Sequence, residues 1–207
     1  MTAASVSEAA ELVRKGGLVV YPTDTVYGLG CDPFDEKAVA RLFEAKGRST
    51  KPVPVLCDTL ESAIGLGSMN ETALSLAHMF WPGALTLVVP LRKKLPFLVD
   101  QGRGEVGVRV PALKACTKLI RLCGGFLTGT SANLSGRPSC RTAAEAARAL
   151  GEKVDLVLDG GRLGGTESTV VRVLGGSVEV LRRGSVEIPD RLNDPPPHNR
   201  ERDSSQF

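Results

Sequence analysis

Residues 18–30 of this 207-residue chain read LVVYPTDTVYGLG, and the pattern of this stretch indicates the class of fold. The β-branched run at 18–22 is ended by a proline, which predicts a short buried strand. A loop that contains Gly28 and Gly30 is predicted to follow it. An amphipathic helix is predicted at 5–15, before the strand. Helix, strand and loop in this order are typical of an α/β domain.

The hydroxyl groups of this loop come directly after the strand, where open α/β sheets bind their ligands. One interpretation is a small-molecule pocket lined by Thr23, Thr25 and Tyr27, with backbone N–H groups exposed by the glycines. The other is a hydroxyl-rich turn that caps the next element. On this segment alone both interpretations stay open.

On either side of this stretch, helices and strands alternate, and the chain ends in antiparallel pairing. Further helices are predicted at 35–46, 70–79, 112–123 and 141–150. Strands are predicted at 53–57, 84–91 and 105–111, at the start of 125–133, at 155–161, and in a hairpin over 168–184 that turns at Gly175-Gly176. This alternation predicts a single α/β domain with one twisted, open, mixed sheet.

Prolines and a histidine add two predictions about these elements. Pro52 and Pro54 push the strand at 53–57 toward a sheet edge, or toward the point where the chain joins a sheet. His78 falls on the apolar face of the helix at 70–79, so we expect it to be packed rather than to act as a base.

The composition excludes several classes of protein. A net charge of +3 and an aromatic content of 4% argue against a nucleic-acid coat protein or a base-stacking surface, so any polyanion site must be a local patch. Five cysteines without a CxxC pair and two histidines leave little material for a zinc site. Because no signal core or membrane-length apolar run occurs, we expect a cytoplasmic protein with reduced thiols and no membrane partner.

Cations cluster at the predicted end of the helix at 35–46, where residues 46–52 read KGRSTKP. Lys46, Arg48 and Lys51 could complement the helix macrodipole, which needs no ligand. They could equally clamp a phosphate chain, because the small residues between them let it approach the backbone.

A second polar cluster is TGTSANLSGRPS at 128–139, which follows a strand and offers five hydroxyls, an amide and an arginine. Such a loop can bind phosphate or ribose oxygens, and a solvated turn is the alternative. Three further polar residues lie in strand-like runs: Arg109, Arg182 and Ser168. Because side chains alternate between the two faces of a strand, each of them points either to solvent or to a cleft.

Several catalytic motifs are absent from the sequence. It has no GxxxxGK[ST] loop, no GxGxxG on a strand–helix turn, and no plausible Ser/His/Asp or Cys/His set. The pattern is that of a binder of anionic groups without a covalent nucleophile. It favours catalysis by positioning and electrostatics.

Seven motifs occur in a fixed order between about residues 5 and 188: YPTDTVYGLG, KGRSTKP, WPGALTLVV, VGVRVP, TSANLSGRPS, STVV and LRRGSV. In this order they resemble the YrdC/TsaC-like family, the threonylcarbamoyl-AMP synthases. The resemblance implies a twisted open α/β sheet around a large basic cavity. It also implies a catalytic domain over 1–188, followed by a disordered polar tail over 189–207.

The resemblance also implies an activity. L-threonine, bicarbonate and ATP are joined into threonylcarbamoyl-adenylate with release of pyrophosphate, and Mg²⁺ is held mainly through the ATP phosphates. Downstream proteins then transfer the group to an adenosine next to the anticodon, so those proteins and tRNA are expected partners. The implied catalytic residues, which also bind ATP, are Lys46, Arg48, Ser131 and Asn133. Further ATP-binding residues are implied to be Lys51, Ser139 and Arg182. The implied threonine-binding residues are Thr25, Tyr27, Arg109, which pairs with the carboxylate, and Ser168.

The chain departs from the family pattern in three places. Larger relatives often carry a histidine at the end of the strand after the K-x-R loop, where this chain has Leu56 or Cys57. That loop is one residue shorter here than in many relatives. Only the polar tail stands where the longer synthases have an extra C-terminal domain.

Two other functions are alternatives. One is a double-stranded RNA- or tRNA-binding module without catalysis, against which the near-neutral net charge argues. The other is formation of a carbamoyl-adenylate, as in the related domain of hydrogenase maturation proteins. Those proteins carry zinc-finger motifs, and this sequence has none.

Overall fold

The computed structural model describes residues 5–47 and 51–189 of the chain. Its helices are α1 (Val6–Arg14), α2 (Glu36–Lys46), α3 (Leu60–Leu66), α4 (Glu71–Phe80), α5 (Phe97–Asp100), α6 (Lys114–Leu122) and α7 (Ala143–Leu150). Its strands are β1 (Val19–Tyr21), β2 (Gly28–Gly30), β3 (Val55–Cys57), β4 (Leu85–Pro90), β5 (Glu105–Arg109), β6 (Phe126–Thr128), β7 (Thr130–Ser131), β8 (Leu156–Val157), β9 (Thr169–Leu174) and β10 (Ser177–Arg182). Arg48, and residues 190–207 of the expected tail, lie outside the described residues.

Side-chain caps begin several of the predicted helices. At the start of α1 the Ser5 hydroxyl accepts the backbone N–H of Glu8, and the Glu8 carboxylate accepts the N–H of Ser5, which is a capping box. The side chain of Asp35 caps α2 by accepting backbone N–H groups of the first turn, and that of Asn70 caps α4 by accepting one such group. The predicted helices at 5–15, 35–46 and 70–79 are thereby confirmed, together with those that become α6 and α7.

Three local predictions are wrong. Residues 28–30 form β2 rather than a loop, because the antiparallel partner β1 supplies pairing that a glycine-rich tripeptide does not show in its own pattern. The helices α3 and α5 are additional to the prediction. His78 is exposed rather than packed, because the buried face of α4 is formed by Ala73, Leu76 and Ala77.

The α/β class is confirmed, but the described strands form two mixed sheets instead of one. The four-stranded sheet has the order β7-β2-β1-β8, and the six-stranded sheet has the order β10-β9-β4-β5-β3-β6. The pairs β1–β8, β3–β5 and β4–β9 are parallel, and the other pairs are antiparallel. Because β3 lies between β5 and β6, it is not an edge strand. Of the two predicted alternatives the second holds, since Pro54 stands at the point where the chain joins the sheet.

Alternate residues of the six-stranded sheet face different surroundings. The side chains of Val55, Leu87, Val108 and Val171 point into the apolar core and are fully buried. The residues that alternate with them along the strands lie on the opposite face, where a cavity is lined by Leu56, Thr86, Val88, Glu105, Arg109, Val170 and Arg172. Period-2 alternation thus gives this sheet one dry face and one face that can meet a ligand.

The two sheets are joined where β6 continues into β7 across the single residue Gly129. The buried Tyr21 hydroxyl of β1 donates to the Thr128 carbonyl oxygen at 2.8 Å, and the Cys31 N–H donates to the Thr128 hydroxyl at 2.8 Å. A Cβ at position 129 would lie 2.7 Å from Leu56 Cγ, so the crossing requires glycine. None of the helices in the described ranges is both long and apolar enough to span a membrane.

Replacing Gly30 with alanine should lower the free energy of unfolding by about 1–3 kcal/mol, measured by chemical denaturation. The added methyl group would lie 2.7 Å from the Tyr21 ring, 2.8 Å from Leu127 Cγ and 3.0 Å from the Thr128 carbonyl oxygen. Gly164→Ala is the matched control, because a Cβ there meets nothing within 4 Å. Equal stability of the two variants would contradict the close approach of β1, β2 and β6.

Candidate functional site

A cavity of about 500 Å³ opens between the two sheets, and its volume is in the range of small-molecule sites. One wall is the polar face of the six-stranded sheet. The opposite wall comes from the loop after β1, which contributes Thr23 and Thr25, and from the loop after β7. Of the two residues at the expected histidine position, Leu56 lines the cavity and Cys57 faces the core.

Cationic side chains outnumber carboxylates around this cavity. Among the described residues that line it, the acidic ones are Glu105 and Glu167. The cationic ones are Lys51, Arg103, Arg109, Arg137, Arg172 and Arg182. The lining thus carries an excess of four positive charges, although the whole chain has a net charge of only +3. Such a concentration of one charge in a cleft attracts anions.

Arg109 is the most deeply buried of these cations, with a relative exposure of 5%. Its Nη2 donates to Asp24 Oδ1 at 2.6 Å, its Nε to the Gly83 carbonyl at 2.8 Å, and its Nη1 to the Thr25 hydroxyl at 3.2 Å. A guanidinium group has five N–H donors, and one on each Nη makes no hydrogen bond to the described residues. Two donors on one guanidinium are what a carboxylate commonly binds.

Hydroxyl groups surround this end of the cavity. Thr23 Oγ1 donates to the Val26 carbonyl at 2.7 Å and lies 2.9 Å from Thr25 Oγ1. Ser168 Oγ lies 2.9 Å from Thr86 Oγ1 on the neighbouring strand. Thr25 and Ser168, both expected to bind threonine, therefore share one cavity with Arg109.

Tyr27 is placed differently from the other residues expected to bind threonine. It is not among the residues that line the cavity. Its hydroxyl donates to the Gly161 carbonyl at 2.7 Å and accepts the Gly160 N–H at 2.9 Å. This position anchors the segment after β8 behind the cavity wall.

The loop after β7 supplies the polar groups at the other end of the cavity. Ser131 and Asn133 both line it. The side-chain amide of Asn133 donates to the backbone carbonyls of Leu134 and Arg137, which fixes its orientation. Its Oδ1 is buried and accepts no hydrogen bond from the described residues. An acceptor in this condition needs a donor or a cation, because an unpaired buried polar atom is costly.

Lys51 is among the residues that line the cavity, and Lys46 is not. The Lys46 side chain is 3% exposed, and Nζ donates to the backbone carbonyls of Ser131 and Asn133. The two lysines of the K-x-R-x-x-K segment therefore have different surroundings.

Ser139 and Arg182 are brought together by Glu167. The Ser139 hydroxyl donates to one carboxylate oxygen of Glu167, and Arg182 Nη1 pairs with the other. Arg182 Nη2 also donates to the Ser168 carbonyl at 2.9 Å. Arg182 lines the cavity and Ser139 does not, so Glu167 links a loop residue to the cavity wall.

Sequence reasoning did not single out several residues of this site. Asp24 lies between two threonines that were singled out, and only its 2.6 Å pairing with Arg109 shows its role. Arg172 could have been found by period-2 alternation, since it follows Val170 by two positions on β9. Arg103 lies in a turn before β5 and gave no sequence signal.

The thiols offer no nucleophile near neutral pH. Burial raises the pKa of Cys31 to about 12 and that of Cys123 to about 11, and it also raises the pKa values of the other three cysteines. A protonated thiol is a poor nucleophile and a poor metal ligand. Within residues 5–47 and 51–189, no group of three or more His, Cys, Asp or Glu side chains could hold a metal ion.

Comparison with known proteins assigns the chain to a family. The model of the Sua5/YciO/YrdC domain, described as "Telomere recombination", matches residues 11–184. The chain belongs to this family. A threonylcarbamoyl-AMP synthase from Pyrococcus abyssi is 40% identical over 185 residues, which are 88% of this chain and 54% of that protein. One from Halorhodospira halophila is 38% identical over 86% of this chain and 94% of that protein.

A solved Sua5/YciO/YrdC structure shares the fold. The crystal structure of P. abyssi Sua5 complexed with L-threonine has a TM-score of 0.84 and 40% sequence identity, over 87% of this chain and 54% of that chain. The present chain thus spans about half the length of the P. abyssi proteins, and nearly the full length of the H. halophila relative.

Replacing Asp24 with alanine should lower the free energy of unfolding by about 3 kcal/mol, because the buried Arg109 would lose its charged partner. Arg121→Ala is the control, since it removes an ion pair whose arginine is 68% exposed and should cost less than about 1 kcal/mol. Urea denaturation of both variants measures the difference. Equal losses in the two variants would argue against a desolvated Asp24–Arg109 pair.

Proposed function

We propose that this chain is a threonylcarbamoyl-AMP synthase, an enzyme of the nucleotidyltransferase type that joins L-threonine, bicarbonate and ATP. The observation that carries the proposal is the single cavity in which Arg109, Ser168, Ser131 and Asn133 meet an excess of four positive charges. The names of the curated relatives support it, including one whose length this chain nearly matches.

Threonine binds at the Arg109 end of the cavity. The two remaining N–H groups of Arg109 hold the amino-acid carboxylate, while Asp24, Gly83 and Thr25 hold the guanidinium in place. The hydroxyls of Thr25 and Ser168 lie beside it and can accept from the amine or pair with the side-chain hydroxyl. A relative of this fold was solved with L-threonine, which supports an amino acid as one substrate.

ATP binds at the other end, where the loop after β7 meets the cations. Ser131 supplies a neutral hydroxyl group, and Asn133 supplies its acceptor oxygen Oδ1, since its amide N–H groups donate to the Leu134 and Arg137 carbonyls. Lys51 and Arg182 supply charge. Arg48 and Ser139 join this set by the family resemblance. The six cations of the lining outnumber its two carboxylates, which keeps the field favourable for a triphosphate.

The reaction needs no covalent intermediate on the protein. The threonine amine and bicarbonate condense to a carbamate with loss of water. A carbamate oxygen then attacks the α-phosphorus, the new P–O bond forms, and the bond to the bridging oxygen of pyrophosphate breaks. The chain holds two anions in line and stabilises the charge that develops on the leaving pyrophosphate. The protonated thiols are consistent with this route.

Mg²⁺ fits this site as a partner of ATP rather than as a resident ion. The described residues provide no carboxylate cluster, and Asn133 Oδ1 and the Ser131 hydroxyl are neutral oxygen ligands. Mg²⁺ commonly keeps waters and binds through substrate phosphates with few protein ligands. When bound, it would supply charge neutralisation at the phosphates.

The product is destined for the adenosine next to the anticodon of tRNA, through downstream transfer proteins in the cytoplasm. An RNA-binding module without catalysis is the second candidate. The excess of cationic residues in the cavity lining is the observation that favours it. The enclosed position of Arg109, at 5% exposure, favours a small anion over a duplex.

Incubation with ATP, [¹⁴C]bicarbonate and L-threonine tests the proposal, with pyrophosphate release and labelled adenylate as the readouts. We expect threonine-dependent formation of both products. Turnover without threonine would indicate the carbamoyl-adenylate activity instead. Tight binding of RNA without turnover would indicate the binding module.

Arg109→Lys should raise the KM for threonine by about tenfold to a hundredfold, because lysine keeps the charge but loses the planar pair of donors. The KM for ATP should change by less than about twofold, since Arg109 lies at the threonine end. Arg121→Lys, on the exposed face of α6, is the control. Equal changes in both KM values would refute the assignment of Arg109 to the threonine carboxylate.

A further inference from the structure

Lys46 is a buried cation whose ammonium group donates hydrogen bonds to backbone carbonyls of the protein. It is the last residue of α2, and its side chain is 3% exposed. Its Nζ donates to the carbonyl oxygen of Ser131 and, at 2.8 Å, to that of Asn133. The Ser135 N–H in turn donates to the Lys46 carbonyl at 3.0 Å. These hydrogen bonds tie the end of α2 to the loop after β7.

The two carbonyls that Lys46 holds belong to the two residues whose side chains line the cavity. Fixing the carbonyls of Ser131 and Asn133 fixes the peptide planes that follow each residue, and hence the directions of their side chains. The Ala132 N–H between them donates to the Tyr27 carbonyl at 2.8 Å, which holds the middle of the same turn. The loop thus has little freedom of its own while Lys46 is in place.

Burial of an ammonium group is costly unless its donors are satisfied, and the Ser131 and Asn133 carbonyls accept hydrogen bonds from Lys46 Nζ. A lysine that contacts phosphate would need its Nζ at the cavity surface, where Lys51 lies and Lys46 does not. The two lysines share one short segment, but their side chains reach different places.

We propose that Lys46 is a positioning residue for ATP. It holds the loop at 131–137 in the shape that presents Ser131 and Asn133 to the nucleotide, and it does not itself contact the phosphates. Lys51 is the lysine of this segment that faces them. The inference rests on the proposed function for the identity of the nucleotide, but the state of the loop can be measured without it.

The test compares Lys46→Met with Lys51→Met in the full chain. Hydrogen–deuterium exchange of the ligand-free protein reports on the amides of residues 131–137. We expect Lys46→Met to speed their exchange by about tenfold or more, because charged hydrogen bonds to the loop are lost. Lys51→Met should leave their exchange unchanged. Lys37→Met, exposed in the first turn of α2, is the surface control.

Calorimetric titration with ATP and, separately, with L-threonine supplies the second readout. Both Lys46→Met and Lys51→Met should weaken ATP binding by about tenfold or more, while the affinity for threonine stays within about twofold. Lys46→Arg should restore the slow exchange and most of the ATP affinity, since its N–H groups can also reach two carbonyls. General destabilisation would weaken both ligands together and would not produce this split.

Two results would overturn the proposal. One is a Lys46→Met protein with slow loop exchange and weak ATP binding, which would make Lys46 a direct phosphate contact. The other is unchanged exchange together with unchanged ATP affinity. If Lys46→Met does not fold, a Lys46→Arg protein with a protected loop but lost ATP binding would overturn it equally. A wild-type chain without threonylcarbamoyl-AMP synthesis would instead count against the proposed function, because the exchange experiment needs no turnover.

Discussion

The rest of the structure depends on the place where the chain leaves one sheet and joins the other across a single residue. Thr128 ends a strand of the six-stranded sheet, Thr130 begins a strand of the four-stranded sheet, and Gly129 lies between them. The Tyr21 hydroxyl holds the Thr128 carbonyl from the other sheet, at a site with no exposure to water. Because this joint fixes the two sheets relative to each other, it also fixes the space between them. The cavity is that space, and the loop that follows the joint forms part of its wall.

Under the proposed function, the site works by arrangement rather than by a single reactive group. The proposed carbamate chemistry requires two anionic substrates to lie close together, and their repulsion must be offset by the protein. Arg109 is prepared for one of them by Asp24, which takes one of its donors and leaves others for the ligand. The loop after β7, proposed to bind the other, is held by Lys46 and by the Tyr27 carbonyl, while Asn133 Oδ1 accepts no hydrogen bond from the described residues. Preorganised groups of this kind need little rearrangement at the moment of reaction.

Much of the fold could be predicted, because its elements follow local rules. Ser5, Asp35 and Asn70 are strong helix caps, and Val108–Arg109 alternation places the arginine on the polar face of its strand. What could not be predicted depends on contacts distant in sequence. Gly28–Gly30 becomes a strand because it pairs with β1 and also with β7, which lies far away along the chain. The carbonyls that hold Lys46 are 85 and 87 residues away, so its burial has no signature in the K-x-R motif itself.

The alternation along the strands of the six-stranded sheet has a consequence for how this protein can change over evolutionary time. Val108 and Arg109 are neighbours in the chain, yet one contributes to folding and the other to the chemistry of the cavity. Substitutions on the cavity face can therefore drift toward new ligands without emptying the core, and the core can be repacked without altering the lining. A fold in which packing of the core and chemistry of the cavity depend on different residues can diverge into proteins that bind different ligands.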